Sequence, residues 1–173
     1  MEVIFNPVSN ANIDSYISVG IQSYKEHYLH LWQDQDPSPF INKYLTKQSV
    51  IEGINNQKQL FYIVKVNKEN AGILNITIDS EKEKSICKHN LLLNKIYLLN
   101  SFSGKGVGSK TIDFVNQLAL EYKKDSILLY AMKKGKPLDF YKKHGYQIIK
   151  EAFIDLPRVL DKEKEMWLMK LKL

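Results

Sequence analysis

A glycine-rich turn between an apolar run and a helical pattern constrains the fold of this chain more than any other segment. In "SFSGKGVGSKT", residues 101–111, three glycines fall within five positions. The preceding "LLLNKIYLLN" predicts a buried strand, and the following "SKTIDFVNQLALEY" has apolar residues at three- and four-residue steps, which predicts a helix. A strand, a tight turn and a helix in this order indicate an α/β domain.

Elementary physical chemistry makes this turn a candidate anion site. The first N–H groups of a helix have no partner inside the helix, and the helix dipole places about half a positive charge there. Glycine has no side chain, so a phosphate can approach the backbone closely. A glycine turn also allows tight packing of a strand against a helix, and the turn alone does not separate the two uses.

The whole chain, residues 1–173, is predicted to form one α/β domain with a mixed sheet of six to seven strands flanked by helices. Apolar residues at helical spacing predict a first helix from Asn10 to Leu31, which the prolines of "DPSP" end. Shorter helices are predicted over 40–45, 48–54 and 136–146. Strands are predicted at "VIFNPVS" and over 60–66, 71–79, 91–100, 126–132, 147–156 and 165–173.

The charge distribution limits the classes of molecule that the chain is expected to bind. The chain has a formal net charge of +6, and its lysines concentrate around and after the glycines. Such a field attracts a polyanionic small molecule as readily as a nucleic acid. No recognition helix, zinc-ligand spacing or aromatic single-strand platform accompanies the lysines. We therefore expect no nucleic-acid partner, and a non-catalytic basic nucleic-acid-binding module stays an alternative.

The chain is expected to be cytoplasmic, with no membrane partner. No apolar run reaches the roughly 18 residues of a transmembrane helix, and the amino-terminal segment lacks the basic and apolar regions of a signal peptide. The single cysteine, Cys87, has no intrachain disulfide partner, which fits a reducing compartment. The expected oligomeric state is a monomer or a homodimer.

A nucleoside-triphosphate loop is another alternative for the turn. That loop requires G-x-x-x-x-G-K-[ST], and "GKGVGSKT" has Ser109 at the second glycine. The next strand, "SILLYAM", ends without the aspartate that would hold Mg²⁺. Both departures count against a P-loop-like nucleotide-binding protein.

Two motifs resemble the GNAT family of N-acetyltransferases. The family's coenzyme A loop has the pattern Q/R-x-x-G-x-G/A after an apolar strand, and residues 103–108 match both glycines, with Ser103 in place of Gln or Arg. The second motif, N-x-x-A-x-x-F-Y-x-K-x-G-F/Y, resembles "KGKPLDFYKKHGY", in which Lys134 and Pro137 replace Asn and Ala. The segments "SYKEHYLHLW" and "KYL" and the chain's ending are similar to the bacterial polyamine acetyltransferase branch, from which no acceptor is assigned.

The resemblance implies a fold in which the fourth and fifth strands splay apart and pantetheine lies in the gap. It implies acetyl-CoA as the acyl-donor cosubstrate, no metal, and direct transfer of the acetyl group to an amine in a ternary complex. The expected acceptor is a primary amine of a small molecule or peptide.

The same resemblance implies roles for individual residues. An N–H near Leu98 would stabilise the developing oxyanion. Tyr141 is the expected catalytic proton donor to the leaving thiolate, and a packing anchor is its alternative role. The residues expected to bind the cofactor are Tyr97, Leu98, Leu99, Ser103, Gly104, Lys105, Gly106, Val107, Gly108, Ser109, Lys134, Lys136, Phe140 and Lys143.

Acceptor contacts are expected from the first helices, the loop before Phe40 and the loop between the final two strands. Aromatic rings there can bind a cationic amine by cation–π contact, although the helical period also predicts core packing for Tyr24 and Tyr28. The fourth strand carries no carboxylate that could take a proton from the amine, so a water chain, Glu26 or His27 are the candidates. The expected acceptor-binding residues are Tyr28, Trp32, Tyr44 and Asn94.

Overall fold

The strands and helices that the periodicity predicts are present in the computed structural model, which describes residues 1–173. The strands are β1 Val3–Pro7, β2 Gln59–Val66, β3 Glu69–Ile78, β4 Asn90–Leu98, β5 Ser126–Met132, β6 Gln147–Phe153 and β7 Glu165–Lys172. The helices are α1 Ile13–Tyr28, α2 Ser38–Tyr44, α3 Lys47–Asn55, α4 Val107–Glu121 and α5 Lys136–Lys143. The first helix ends before the predicted Leu31 because Leu29–Leu31 tightens into a 3-10 turn.

The seven strands form one mixed sheet in the order β1-β2-β3-β4-β5-β7-β6. All neighbouring strands are antiparallel except β4 and β5, which are parallel. The glycine turn and α4 form the crossover between those two strands. This arrangement confirms the predicted fold class.

Strands β4 and β5 pair only over their first four residues, Asn90–Leu93 against Ser126–Leu129. Beyond these pairs β4 stays paired with β3, and β5 with β7. The two strands therefore diverge towards the glycine turn, and their facing edges have no strand partner. This gap is the splay that was predicted.

Each face of the sheet carries its own core. On one face, β-strand side chains such as Leu74 and Leu93 pack against α4 residues such as Ile112 and Val115. On the other face, Ile63 and Ile73 pack against α1, α2 and α3. None of the helices combines the length and the apolar character that crossing a bilayer requires.

A β-bulge interrupts the pairing of β3 with β4. Asn75 pairs with Lys95, but the next residue, Ile76, pairs with Leu93. Asn94 is therefore an extra residue in β4, and it shifts every side chain that follows by one position. The bulge lies where β4 begins to separate from β5.

Candidate active site

The glycine turn presents open backbone in front of α4. Gly104 and Gly106 have φ angles of 71° and 79°, which is left-handed backbone that favours glycine. Gly106 is the N-cap of α4. A Cβ added at either residue would meet no atom within 4 Å. The glycines therefore satisfy the backbone conformation and leave free space for a ligand.

The amides of this turn have no acceptor in the backbone. The N–H groups of residues 104–109 donate to no backbone carbonyl, and the first bond of α4 runs from Lys110 N–H to the Gly106 carbonyl at 3.1 Å. Several free N–H groups at the positive end of a helix dipole suit an anion that accepts several hydrogen bonds. The structure thus brings the predicted turn residues together as one surface of free amides.

Helix α5 packs on the start of α4 through Phe140. A Cβ at Gly108 would lie 3.2 Å from Phe140 Cζ, so this glycine gives the ring room. His144 Nδ1–H donates to the Phe140 carbonyl at 2.9 Å, and in the neutral ring its Nε2 accepts from the Ser109 hydroxyl at 3.2 Å. These contacts fix α5, and with it Tyr141, relative to the turn.

The lysines expected to bind the cofactor fall into two groups. Lys134 donates to the Lys162 carbonyl at 2.7 Å and lies 3.6 Å from a Glu163 carboxylate oxygen. Its ammonium group is therefore engaged by the loop between β6 and β7. The other three are exposed and form no ion pair: Lys105, Lys136 and Lys143.

Leu98 is the residue of β4 whose backbone N–H faces the gap near the turn. Leu99 N–H donates to the Ala71 carbonyl of β3 at 2.8 Å. Because directions alternate along a strand, the backbone of Tyr97 also faces β3, and that of Leu98 faces away from it. The Leu98 carbonyl accepts from His27 Nε2–H at 2.7 Å. Of the three predicted strand residues, Leu98 therefore directs its N–H into the gap.

The two side chains suggested as proton acceptors both tie α1 to the end of β4. Glu26 Oε2 accepts from Asn100 N–H at 2.7 Å. Because His27 donates from Nε2, its Nδ1 carries the remaining lone pair in the neutral ring. Of these two side chains, His27 is the one that contacts the gap-facing residue of β4.

Tyr141 lies beside the gap, close to other tyrosines. Burial raises the pKa of Tyr141, of Tyr28 and of Tyr97, and neighbouring phenols raise the pKa of Tyr141 and of Tyr97 further. The three hydroxyls therefore stay protonated at neutral pH, as a proton donor must. The Tyr141 ring also packs edge-on against Tyr146, with ring centroids 5.7 Å apart. The residue thus packs against Tyr146 and keeps a protonated hydroxyl.

A cleft of about 460 Å³ opens where β4 and β5 diverge, on the side of α1 and α2. Tyr141 lines this cleft. The structure therefore brings the predicted proton donor and the predicted acceptor-binding residues to one cavity. All four of the latter line it: Tyr28, Trp32, Tyr44 and Asn94.

The aromatic wall of the cleft is a packed cluster. Tyr24 stacks on Phe40 with ring centroids 4.0 Å apart, and Trp32 Nε1–H donates to the Tyr24 hydroxyl at 3.2 Å. Tyr28 lies edge-on to Tyr97 at 5.5 Å. Tyr24 and Trp32 are buried and Tyr28 is half-buried. Core packing is confirmed for Tyr24, while Tyr28 packs and also faces the cavity.

The loop between β6 and β7 closes the far side of the cleft and is tied to the segment after α1. Trp32 forms an isolated β-bridge with Val159. The Arg158 guanidinium pairs with Asp36 at 2.7 Å and with Asp34 at 3.2 Å. The two segments that the sequence assigned to acceptor specificity therefore form one wall.

Sequence reasoning missed five polar residues of the cleft. Among them, Lys95 is a single lysine in a largely apolar strand, and that was the available signal. The side chains of Leu93 and Ile96 both pack on the α4 side, so the bulge at Asn94 turns Lys95 to the cleft side. The residue types alone do not show that a bulge changes the face of the sheet to which a side chain points. The five residues are Lys43, Lys82, Lys95, Tyr130 and Asp155.

Comparison with known proteins gives a family match and a curated relative. The family model described as "Acetyltransferase (GNAT) domain" matches residues 57–148. A curated protein from Lactobacillus delbrueckii subsp. lactis, an uncharacterised N-acetyltransferase in the pepI 3' region, is 23% identical over 122 residues. The match covers 70% of this chain and 70% of that protein.

Solved structures share the complete architecture. The chain is similar to the PaiA N-acetyltransferase from Thermoplasma acidophilum in complex with coenzyme A, with a TM-score of 0.79, 16% identity and 100% coverage of both chains. It is also similar to an acetyltransferase of the GNAT family from Streptococcus pneumoniae, with a TM-score of 0.74 and 20% identity. That match covers 99% of this chain and 100% of the other. At these identities the likeness concerns the fold.

Proposed function

The chain belongs to the GNAT family of acetyltransferases, as its motifs suggested, and we propose that it transfers acetyl from acetyl-CoA to a primary amine of a small molecule or peptide. One observation carries this proposal: the gap between β4 and β5 leads directly to the free amides of residues 104–109. A ligand with an extended amide chain and a diphosphate would satisfy both sets of backbone groups.

The proposed cofactor contacts follow from that geometry. Backbone groups along the unpaired edges would bind the amides of pantetheine, and the turn amides would bind the diphosphate. Lys105, Lys136 and Lys143 would add positive charge near the phosphates as point charges. Ser103 is short and exposed, so the backbone contacts carry this part of the binding. We also propose the cytoplasm as the compartment of the protein.

The proposed chemistry assigns one role to each group at the gap. Acetyl-CoA, when bound, supplies an activated thioester carbonyl, which the neutral amine attacks to form the new C–N bond. Leu98 N–H donates to the oxygen on which negative charge develops. As the C–S bond breaks, the Tyr141 hydroxyl would donate its proton to the departing sulfur, and the resulting phenolate would take the surplus proton from the nitrogen of the new amide. None of these steps uses a metal.

The amine must first lose a proton, since a lysine-like amine with a pKa of about 10.4 is neutral in roughly one molecule in a few thousand at pH 7. We propose that His27 Nδ1 accepts this proton, directly or through one water. The contact of His27 with Leu98 supports this role, because it places the ring at the end of the gap. Glu26 is already engaged by Asn100 N–H.

Thermal unfolding with three ligands tests the proposed function. Acetyl-CoA at a hundred times its Kd would stabilise the protein by about 2.7 kcal/mol without added metal, whereas Mg-ATP and duplex DNA would not stabilise it. Release of free thiol from acetyl-CoA, measured with a panel of amines, then reports transfer. Stabilisation by Mg-ATP alone would instead favour a P-loop-like nucleotide-binding protein. DNA affinity that falls steeply with salt, together with no response to acetyl-CoA, would favour a non-catalytic nucleic-acid-binding module.

A further inference from the structure

Three lysines line the cleft without a carboxylate partner. Lys43 Nζ and Lys95 Nζ lie 5.2 Å and 4.7 Å from the centroid of the Tyr44 ring. Lys82 Nζ lies 4.3 Å from the centroid of the Tyr130 ring. None of the three forms an ion pair. The lining of the cleft therefore carries unpaired positive charge beside both Tyr44 and Tyr130.

Lys95 is the most buried of the three, and its surroundings supply no countercharge. Its Nζ donates to Asn75 Oδ1 at 3.4 Å, a neutral acceptor. Burial lowers the pKa of Lys95 to about 8. A desolvated ammonium group without a negative partner is costly, and an anion placed beside it would remove much of that cost. The cleft thus holds a cation that a ligand can neutralise.

The same lysines occupy the ring faces that a cationic ligand would need. The faces of Tyr44 and Tyr130 already hold lysine ammonium groups. Asp155 is the acidic residue that lines the cleft, and it is exposed. Glu83 lies behind Tyr130, where its carboxylate accepts a hydrogen bond from the Tyr130 hydroxyl. The positive charge of these lysines would therefore repel a second ammonium group on the acceptor.

We propose that the acceptor is a primary amine that also carries a carboxylate, bound with the carboxylate at Lys95. This inference rests on the proposed acetyl transfer and names its substrate class. Strand residues rise by about 3.4 Å each, so Lys95 lies about 10 Å along β4 from Leu98, where the carbonyl would react. A compact amino acid bridges this distance with the help of the lysine side chain. The aromatic wall then covers the body of the acceptor.

Matched acceptors test the proposal with the full-length protein at saturating acetyl-CoA. Glycine, β-alanine and γ-aminobutyrate are each compared with their carboxamides, and spermidine is the cationic probe. We expect kcat/KM, from thiol release, to be at least about tenfold higher for the best carboxylate than for its carboxamide, and spermidine to be poorer still. Lys95→Gln is expected to reduce the ratio to near one, and Lys95→Arg to keep part of it.

Lys88→Gln is the matched control, because Lys88 is exposed and lies outside the cleft. This variant should keep the wild-type ratio. The acetyl-CoA thermal shift of Lys95→Gln, expected to equal that of wild type, separates a lost acceptor contact from misfolding.

The remaining outcomes distinguish failure of the proposed acceptor class from failure of the proposed acetyl transfer. Equal or faster turnover of carboxamides or spermidine overturns the acceptor class and leaves acetyl transfer standing. An acetyl-CoA thermal shift without turnover of any carboxylate-bearing amine also overturns the acceptor class. The absence of both a thermal shift and thiol release rejects the proposed function itself.

Discussion

Replacing Gly106 with glutamate tests whether the glycine turn holds a diphosphate. Gly106 has a φ of 79°, and a Cβ there points into open space, so the folded protein has room for a longer side chain. The left-handed backbone costs a non-glycine residue about 1–2 kcal/mol. For a chain of this length that lowers Tm by about 2–8 °C. The strain is equal with and without ligand, so it does not change the affinity.

The carboxylate itself is expected to abolish cofactor binding. A unit charge about 4 Å from a phosphate charge repels it by about 4 kcal/mol at an effective dielectric constant of 20. This energy raises Kd about a thousandfold. Acetyl-CoA at a hundred times the wild-type Kd stabilises wild type by about 2.7 kcal/mol. The same concentration is about a tenth of the variant's Kd, where the stabilisation falls to about 0.1 kcal/mol or less.

Thermal unfolding without acetyl-CoA measures the cost of the strained backbone, and unfolding with acetyl-CoA measures the loss of cofactor binding. Gly145→Ala is the control, because Gly145 also has a left-handed φ, 85°, and a Cβ there would lie 3.2 Å from Leu171 Cδ1 rather than in the turn. This control should have a lower Tm and the full acetyl-CoA shift, whereas Gly106→Glu should show almost no shift. A wild-type shift in Gly106→Glu would refute diphosphate binding at the turn.

Three other substitutions give separate tests. Tyr141→Phe is expected to lower kcat by about 10²- to 10⁴-fold with the acetyl-CoA thermal shift retained, and unchanged turnover would remove the hydroxyl from the mechanism. Burial lowers the pKa of Lys95 to about 8, so between pH 8 and 10.5 the unfolded chain binds more protons and stability rises with pH. In urea unfolding, Lys95→Met should therefore stabilise more at pH 7 than at pH 10, by up to about 3 kcal/mol, and equal effects would contradict this burial. Trp32→Phe removes the donor to the Tyr24 hydroxyl and should cost about 1 kcal/mol in the same assay, whereas no loss would show that this hydrogen bond is not stabilising.

The fold was predictable because each element has a local cause that the sequence displays. Pro137 lies in the first turn of α5, and Gly145, with its left-handed φ, follows the end of that helix. The apolar runs of β4 and β5 are continuous over the residues where both faces of the sheet are covered. The turn between them needs positive φ, which the glycines supply. Such signals act within a few residues and do not depend on the rest of the chain.

The candidate site was predictable where it depends on these local signals and not where it depends on distant contacts. The turn amides and the position of Tyr141 follow from two motifs. The wall that joins Trp32 to Val159 does not, because it forms between segments far apart in the chain. The opposite orientations of the Leu98 and Leu99 backbones also require the pairing with β3, which determines which N–H remains free.

The bulge and the splay together explain how one strand can serve two ligands. Beyond Leu93, the backbone edge of β4 is unpaired and faces the gap, while the side chains of Lys95 and Tyr97 face the acceptor cleft. In a regular strand of the same sequence, Lys95 and Tyr97 would point into the α4 core and Ile96 would point into the cleft. The extra residue, Asn94, instead gives the cleft a cation and an aromatic ring and keeps an apolar side chain in the core. The position of one inserted residue therefore determines both the polarity of the acceptor site and which backbone N–H groups of β4 face the gap.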